Sequence, residues 1–395
     1  MNELAKKAIQ CCRDVALCSE ERGRTTRTFL SPPMHEVHRL LGAWMRRIGM
    51  EVSVDGAGNL RGVRPGSASK KRLVIASHLD TVPSAGAFDG VLGVVLGVAA
   101  IEALGEPYEG PTVEVIGFSD EEGVRFGIPF IGSRAVAGTL DDSILTPIVL
   151  DAIRTFGLDP ALLPAARLSP ETAAYLEFHI EQGPVLESLG MPLGIVDAIA
   201  GQSRFTLTFH GRANHAGTTP MSLRRDALAA ASEWICCVEK LAIGESGLMA
   251  TVGSIVAEPN ASNVIPETVR VSLDVRHPCD AIRHASVAEL IGAAQRICQR
   301  RRIALAHDQS LDQSAVVLDA DLVNKLASCV QAAGYPVHRL VSGAGHDAMI
   351  LAPHVPAAML FLRSPGGISH HPDESVITAD VDAAIEVGMR LIRDV

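Results

Sequence analysis

The 395-residue chain has no run of about 20 apolar residues, so nothing in it reads as a bilayer-spanning helix. Its most apolar stretch, GVLGVVLGVAAIEAL (90–104), is too short and too rich in glycine for that, and reads as a helix buried on a sheet. No basic stripe with interleaved aromatics is present, and 35 Lys and Arg are outnumbered by 45 Asp and Glu. The formal charge of −10 argues against a nucleic-acid surface and against attraction to anionic membranes. It says nothing direct about substrate, because a local arginine can outweigh a mild global field. Residues 1–24, MNELAKKAIQCCRDVALCSEERGR, lack the apolar core of a signal peptide and read as a helix. None of the eight cysteines (Cys11, Cys12, Cys18, Cys236, Cys237, Cys279, Cys298, Cys329) forms a C-x-x-C pair. They are expected to be reduced, buried residues of a cytoplasmic protein, not disulfide or zinc partners. The glycines of DGVLGVVLG lack G-x-G-x-x-G spacing, which weakens a nucleotide-binding reading. There is no internal repeat and no low-complexity linker.

The length exceeds one ordinary hydrophobic core, and two domains are expected. With 47% hydrophobic and 20% charged residues the chain is globular. In the first half, helix-like segments (35–48, 90–104) alternate with short strands (50–54, 59–63, 72–77, 112–118, 176–180). Helices between strands imply a mostly parallel sheet covered on its faces. Near Gly201 the pattern changes. GQSRFTLTFHG alternates strictly, with Phe205, Leu207 and Phe209 on one side. A helix (222–241), two strands (248–257, 267–275), a helix (281–300) and a strand (302–306) follow. That β-α-β-β-α-β order is the ferredoxin-like split unit, read here as an insertion. The first pattern then resumes through 319–393. The expectation is α/β: a discontinuous domain of residues 1–200 and 313–395, with an inserted α+β domain of 201–312.

Four stretches carry metal-type ligands at the ends of strand-like runs: LVIASHLDTVPSAGAFDG (73–90), GFSDEEGVRFG (117–127), EFHIEQGP (177–184) and GGISHHPDE (366–374). Open α/β sheets place their sites there. On a strand, His78 and Asp80 share a face, so Asp80 can accept from the ring nitrogen that does not bind metal. Asp89 precedes the glycine-rich helix. It suits a bridging carboxylate, but taken alone it reads better as a helix N-cap. Asp120, Glu121 and Glu122 are costly to gather in apolar surroundings without a cation. One of the glutamates can bind metal while its neighbour stays available as a base. His179 sits between Phe178 and Ile180, where histidine is more often a satisfied core residue. His370 and His371 follow a Gly-Gly turn, and one of them can reach a site.

The joint set SHLDTV, DEEG, HIEQGPVLE, ANHAGTTPM, NVIP and SGAGHDA resembles the amidase–hydantoinase–carbamoylase branch of the di-zinc exopeptidase superfamily, over nearly the whole chain. The resemblance implies that His78 and His179 bind one divalent metal, Glu122 and His370 a second, and that Asp89 bridges them. It makes Glu121 the general base and Asp80 the residue that orients His78. It makes the inserted domain a lid and dimerisation domain, whose His215 reaches the partner subunit's active site. Gln182, Asn263 and Arg276 then line the substrate pocket, Arg276 receiving a carboxylate, with His215 beside them. Arg204 and Arg212 read as ordinary surface charges of the lid.

Metal coordination brings a bound water's pKa down to about 7. Glu121 would take that water's proton and pass it to the leaving nitrogen, while His215 would stabilise the oxyanion. The guanidinium of Arg276 pairs with a carboxylate through two hydrogen bonds. The expected activity is hydrolysis of a ureido C–N bond in a small carboxylate, an N-carbamoyl-L-amino acid or allantoate, by a cytoplasmic homodimer. Two ions are expected, zinc first, with manganese, cobalt and nickel also accepted by such ligands. A dipeptidase or N-acyl amino acid hydrolase would use the same centre. A non-catalytic binding protein would show an eroded site, and no ligand is missing here.

Overall fold

The computed structural model describes residues 2–67 and 71–395. The chain divides into two compact units, one running to Asp197 and resuming at Leu318, the other spanning Ala198–Val317.

The first unit is built on a mixed sheet with a parallel centre. Thr112–Phe118, Arg72–His78, Thr172–Ile180 and Ala357–Leu362 lie side by side in that order, all parallel. Leu60–Arg64 and Glu51–Val54 extend one side antiparallel, and Leu193–Ile199 the other. The central strands are apolar on both faces, as a covered parallel sheet requires. Six of the seven residues of Arg72–His78 are buried, and all of Ala357–Leu362.

The apolar stretch forms the helix Val91–Leu104, which packs on the sheet and against the helices Asn2–Ala16 and Thr378–Asp394. Being apolar on every side, it has no face to offer water. Two glycines let it come close. A Cβ on Gly93 would stand 2.1 Å from the Phe178 carbonyl oxygen, and one on Gly90 2.4 Å from the His78 ring. Gly90 also holds φ = 65°, which an L side chain adopts only at a cost. The close approach places the start of this helix beside the carboxyl ends of Arg72–His78 and Thr172–Ile180.

The second unit is an antiparallel sheet ordered Ala304–Gln313, Gly201–His210, Thr268–His277, with Met249–Thr251 and Ile255–Glu258 both pairing to Thr268–His277. Phe205, Leu207 and Phe209 point into a core with Trp234, Val271 and Leu290, under the helices Ala227–Gly244 and Asp280–Arg301. Arg204 and Thr206 point the other way. The single strand expected over 248–257 is broken. Three residues, 252–254, stand opposite only Ser272 and Leu273, and the extra residue interrupts the ladder. The strand expected over 302–306 instead runs to Gln313, because an exposed edge tolerates the polar HDQSLDQ. Among the described residues no helix is long and apolar enough to cross a membrane.

Gly93→Ala should lower the thermal midpoint. Pressing a Cβ onto a backbone oxygen belongs at the upper end of the about 1–3 kcal/mol cost of overpacking, more than the about 1 kcal/mol alanine gains over glycine in a helix. An unchanged midpoint in a calorimetric scan would contradict this packing.

Candidate metal centre

All four central strands deliver polar groups at their carboxyl ends. His78 ends Arg72–His78, Asp120–Glu122 follow Thr112–Phe118, His179 lies near the end of Thr172–Ile180, and Ser364–His370 follow Ala357–Leu362. The two buried imidazoles face each other, with His78 Nε2 3.4 Å from His179 Nε2. Each ring spends its other nitrogen on a carbonyl. His78 Nδ1 is 3.0 Å from the Asp80 oxygen, and His179 Nδ1 is 3.0 Å from that of Ile180. Those acceptors hold the protons on Nδ1 and leave two lone pairs aimed at one point, an arrangement suited to a cation.

Asp89 closes the set. Its Oδ1 lies 3.4 Å from His179 Nε2 and its Oδ2 3.0 Å from His370 Nε2. His370 Nε2 is in turn 3.5 Å from Glu122 Oε1. Two donor groups result, His78–Asp89–His179 and Asp89–Glu122–His370, with Asp89 common to both. Asp89 does not cap the helix it precedes: Gly90 occupies that position, and no side chain bonds the helix start. The carboxylate is turned into the site. His371 lies outside these groups, exposed and 3.6 Å from Asp373. His370 holds φ = 55° and Gln182 φ = 57°. Left-handed backbone at non-glycine residues persists where surrounding structure over-determines it, commonly at functional sites.

Asp80 acts on two elements at once. Its carbonyl is nearer to the His78 ring than its carboxylate Oδ1, which is 3.4 Å away. The carboxylate instead accepts the backbone N–H groups of Glu121 at 2.9 Å and Glu122 at 3.1 Å. It thus holds the acidic turn as well as the ligand strand. Glu121 belongs to a third group with His78 and Glu122, and stands outside the two that share Asp89.

The electrostatics also suit a cation. Burial pushes Glu121 well above the usual carboxylate range, with the charges of Glu122, Asp347 and Asp80 adding to it and His78 opposing. Glu122 is pushed up to about 7, by burial first and then by Asp89 and Asp80. Burial pulls His179 down to about 4. Burial opposes the charged form of His78, but the Asp80 hydrogen bond and the charges of Glu121, Asp80 and Asp89 leave it raised. Carboxylates crowded in a dry site resist ionisation, and a divalent cation supplies the compensating charge. The donor set therefore fits hard or borderline divalent cations by residue type and convergence.

Gln182 belongs to this cluster too. Its amide donates to Asp89 Oδ1 and Oδ2 at 3.1 and 3.3 Å. The other substrate candidates lie in the second unit. His215 is exposed, its Nδ1 accepts the Gly217 N–H at 3.0 Å, and its loop is tied to the Asn263 loop by the Ala216 N–H on the Asn263 carbonyl at 2.9 Å. Arg276 lies on the strand Thr268–His277 with its guanidinium on Asp274, at 2.9 and 3.1 Å. Arg204 bonds the same Asp274 at 2.9 Å, so it is not an isolated surface charge. Arg212 is exposed.

Three supporting residues carried no assigned role in the sequence. Glu374 accepts the N–H groups of Phe88 and Asp89 at 2.8 and 2.9 Å and fixes the loop that carries Asp89. Burial, then the charge of Asp89, pushes it up to about 7. Glu177 accepts from Tyr175 and from the Ala348 N–H. His346, held by Ser342 at 2.9 Å, packs its ring 4.5 Å from that of His179. The signals were present: Glu177 is two residues before His179, hence on the same strand face, and Glu374 lies four residues beyond His370. Removing such supporting groups typically lowers metal affinity by about 10–100-fold. Glu374→Ala should do so in a chelator competition, and unchanged affinity would contradict its role.

A model of peptidase family M20/M25/M40 matches residues 74–394. The "Probable allantoate deiminase" of Oryza sativa subsp. japonica is 39% identical, over 98% of this chain and 87% of that one. The "N-carbamoyl-L-amino acid amidohydrolase" of Geobacillus stearothermophilus is 40% identical, over 92% of each. Among solved structures, an amidase of the hydantoinase/carbamoylase family from Burkholderia multivorans superposes with a TM-score of 0.91 at 31% identity, over 99% of this chain and 97% of that one. A catalytic-type donor set at the carboxyl ends of a parallel sheet, together with matches along nearly the full length, leads to one conclusion: the chain belongs to peptidase family M20/M25/M40, beside its amidohydrolases.

Proposed function

We propose that this chain is a metal-dependent amidohydrolase that cleaves the ureido C–N bond of a small carboxylate, an N-carbamoyl-L-amino acid or allantoate. The observation that carries the proposal is the pair of donor groups sharing Asp89, with Glu121 standing beside them and outside both. Relatives named for allantoate and for N-carbamoyl amino acids share 36–40% of their residues with it. Both substrate types present a ureido carbonyl and a carboxylate.

His78, His179 and Asp89 would hold one ion, and Asp89, Glu122 and His370 the other. Bound there, divalent ions supply Lewis acidity toward the scissile carbonyl and lower the pKa of a water toward neutrality. Glu121 takes the proton of the attacking water at its carboxylate and returns it to the leaving nitrogen. Its raised pKa suits both halves of that task, since a base too weak to hold a proton could not deliver it later. Asp80 keeps Glu121 and His78 in register, and Gln182 steadies Asp89. From the second unit, His215 donates to the developing oxyanion, Asn263 binds the ureido group, and Arg276 receives the substrate carboxylate. That unit would act as a lid and, through exposed apolar groups such as Met249, Ile255 and Val256, as the dimer surface. A reducing cytoplasmic setting suits eight unpaired cysteines.

Chelation should abolish turnover of N-carbamoyl amino acids or allantoate, and zinc, manganese, cobalt or nickel should restore it. Ammonia release from one or more of these ureido substrates is the expected result. Amino acid release from dipeptides alone would overturn the proposal. Glu121→Gln should retain both ions while kcat falls by about 10²–10⁴-fold. Loss of an ion in that variant, read by metal analysis, would make Glu121 a ligand instead.

A further inference from the structure

The loop that carries His215 is held by hydrogen bonds on both flanks. On one, His215 and Val264 form an antiparallel bridge. The Ala216 N–H donates to the Asn263 carbonyl at 2.9 Å, and the Ile265 N–H to the Asn214 carbonyl at 2.8 Å. Within the loop, the His215 carbonyl accepts from the Thr219 hydroxyl at 2.9 Å and from the Thr219 N–H at 3.2 Å. The other flank rests on one side chain. Arg224 donates from Nε to the Thr219 carbonyl at 3.0 Å and from Nη2 to the Ala216 carbonyl. A planar guanidinium fork thus ties the start of the loop to its end. Among the described residues Arg224 has no carboxylate partner, so its charge is spent on these two carbonyls.

The closed loop decides which ring nitrogen of His215 carries a proton. The Gly217 N–H donates to His215 Nδ1 at 3.0 Å. A neutral imidazole has one donor and one acceptor nitrogen, so acceptance at Nδ1 leaves the proton on Nε2. Nε2 is then the atom that can donate to a developing oxyanion. The contact needs a close approach: a Cβ on Gly217 would stand 3.3 Å from His215 Cε1. His215 is itself exposed, so the loop, not packing around the ring, sets its orientation. Charge-assisted hydrogen bonds are the stronger kind, and those of Arg224 hold the carbonyl on either side of Gly217 and Thr218.

We propose that Arg224 is a positioning residue for His215: by clamping the carbonyls of Ala216 and Thr219 it keeps the Gly217 N–H on Nδ1 and holds the ring with its proton on Nε2. The inference rests on the reading of His215 as oxyanion donor and deepens it, naming the side chain that fixes which nitrogen donates. Arg224 acts through His215 and touches no substrate. A lysine at this position has a compact ammonium group and no fork, so it holds the loop less well.

Heteronuclear NMR of the full-length, metal-loaded protein with isotope-labelled histidine reads the ring directly, the His215 signals being assigned by their loss in His215→Ala. In the wild type the neutral ring should carry its proton on Nε2, and in Arg224→Gln the two tautomers should mix. The opposite tautomer in the wild type, or an unchanged spectrum in Arg224→Gln, overturns the proposal. With an N-carbamoyl amino acid as substrate, Arg224→Gln should lower kcat by about tenfold or more, the scale of a charge-assisted hydrogen bond. KM should stay nearly constant, as for an interaction made only in the transition state, and Arg224→Lys should recover part of the loss. Adding Arg224→Gln to His215→Ala should cost nothing further, because both changes act through one ring. Additive losses, or full kcat in Arg224→Gln, count against Arg224. Should Arg224→Gln fail to fold, Arg224→Lys carries the same comparisons with smaller shifts. Wild-type turnover and the loss in His215→Ala test the function reading separately. If the wild type hydrolyses no ureido substrate, or His215→Ala keeps full kcat, that reading fails, and the spectra still decide whether Arg224 sets the tautomer.

Discussion

The sharing of one carboxylate, that of Asp89, between two groups of ligands is the constraint on which the rest of the site depends. One oxygen faces His179 and the other His370. The bridging role proposed for it requires that the residue not swing, and three features hold it. Glu374 accepts the N–H groups on either side of the Phe88–Asp89 peptide's start. Gln182 donates to both carboxylate oxygens. Behind it, Val91–Leu104 is locked against the sheet through glycines where no Cβ would fit. A buried apolar helix thus serves a polar purpose, setting the position of a charged group at its own start.

The same logic extends outward from the centre. A parallel sheet brings four strand ends to one edge, the geometry that makes this edge a ligand site in open α/β folds. His78 and His179 each have Nδ1 tied to a backbone carbonyl, so ring orientation is fixed by the strands themselves. Asp80 then couples His78 to the turn that carries Glu121 and Glu122. Burial raises the pKa of both glutamates, a cost that divalent charge would relieve.

Much of this was legible in the sequence because periodicity and burial coincide there. Continuous apolar runs marked the central strands, and strict alternation marked Gly201–His210. Nothing in the sequence marks the break within 248–257, because an extra residue against a partner strand has no signature in one sequence. The edge strand Ala304–Gln313 was cut short because its second half carries no apolar alternation to detect. At the site, residue types at strand ends pointed to side chains that the fold brings together. What could not be read was which atom of Asp80 meets His78, or that Asp89 would decline the helix cap. Those outcomes depend on backbone placement within a few tenths of an ångström. Glu374 carries no signal for a different reason: its partner, the N–H of Asp89, is 285 residues away in the chain.

Anomalous diffraction from crystals soaked in zinc or manganese tests the central claim most directly. Two peaks are predicted about 3.5–4 Å apart, the spacing of binuclear hydrolytic sites, one against His78 and His179, the other against Glu122 and His370, with Asp89 between them. A single peak, or two peaks that leave Asp89 out of contact with either, would contradict the account.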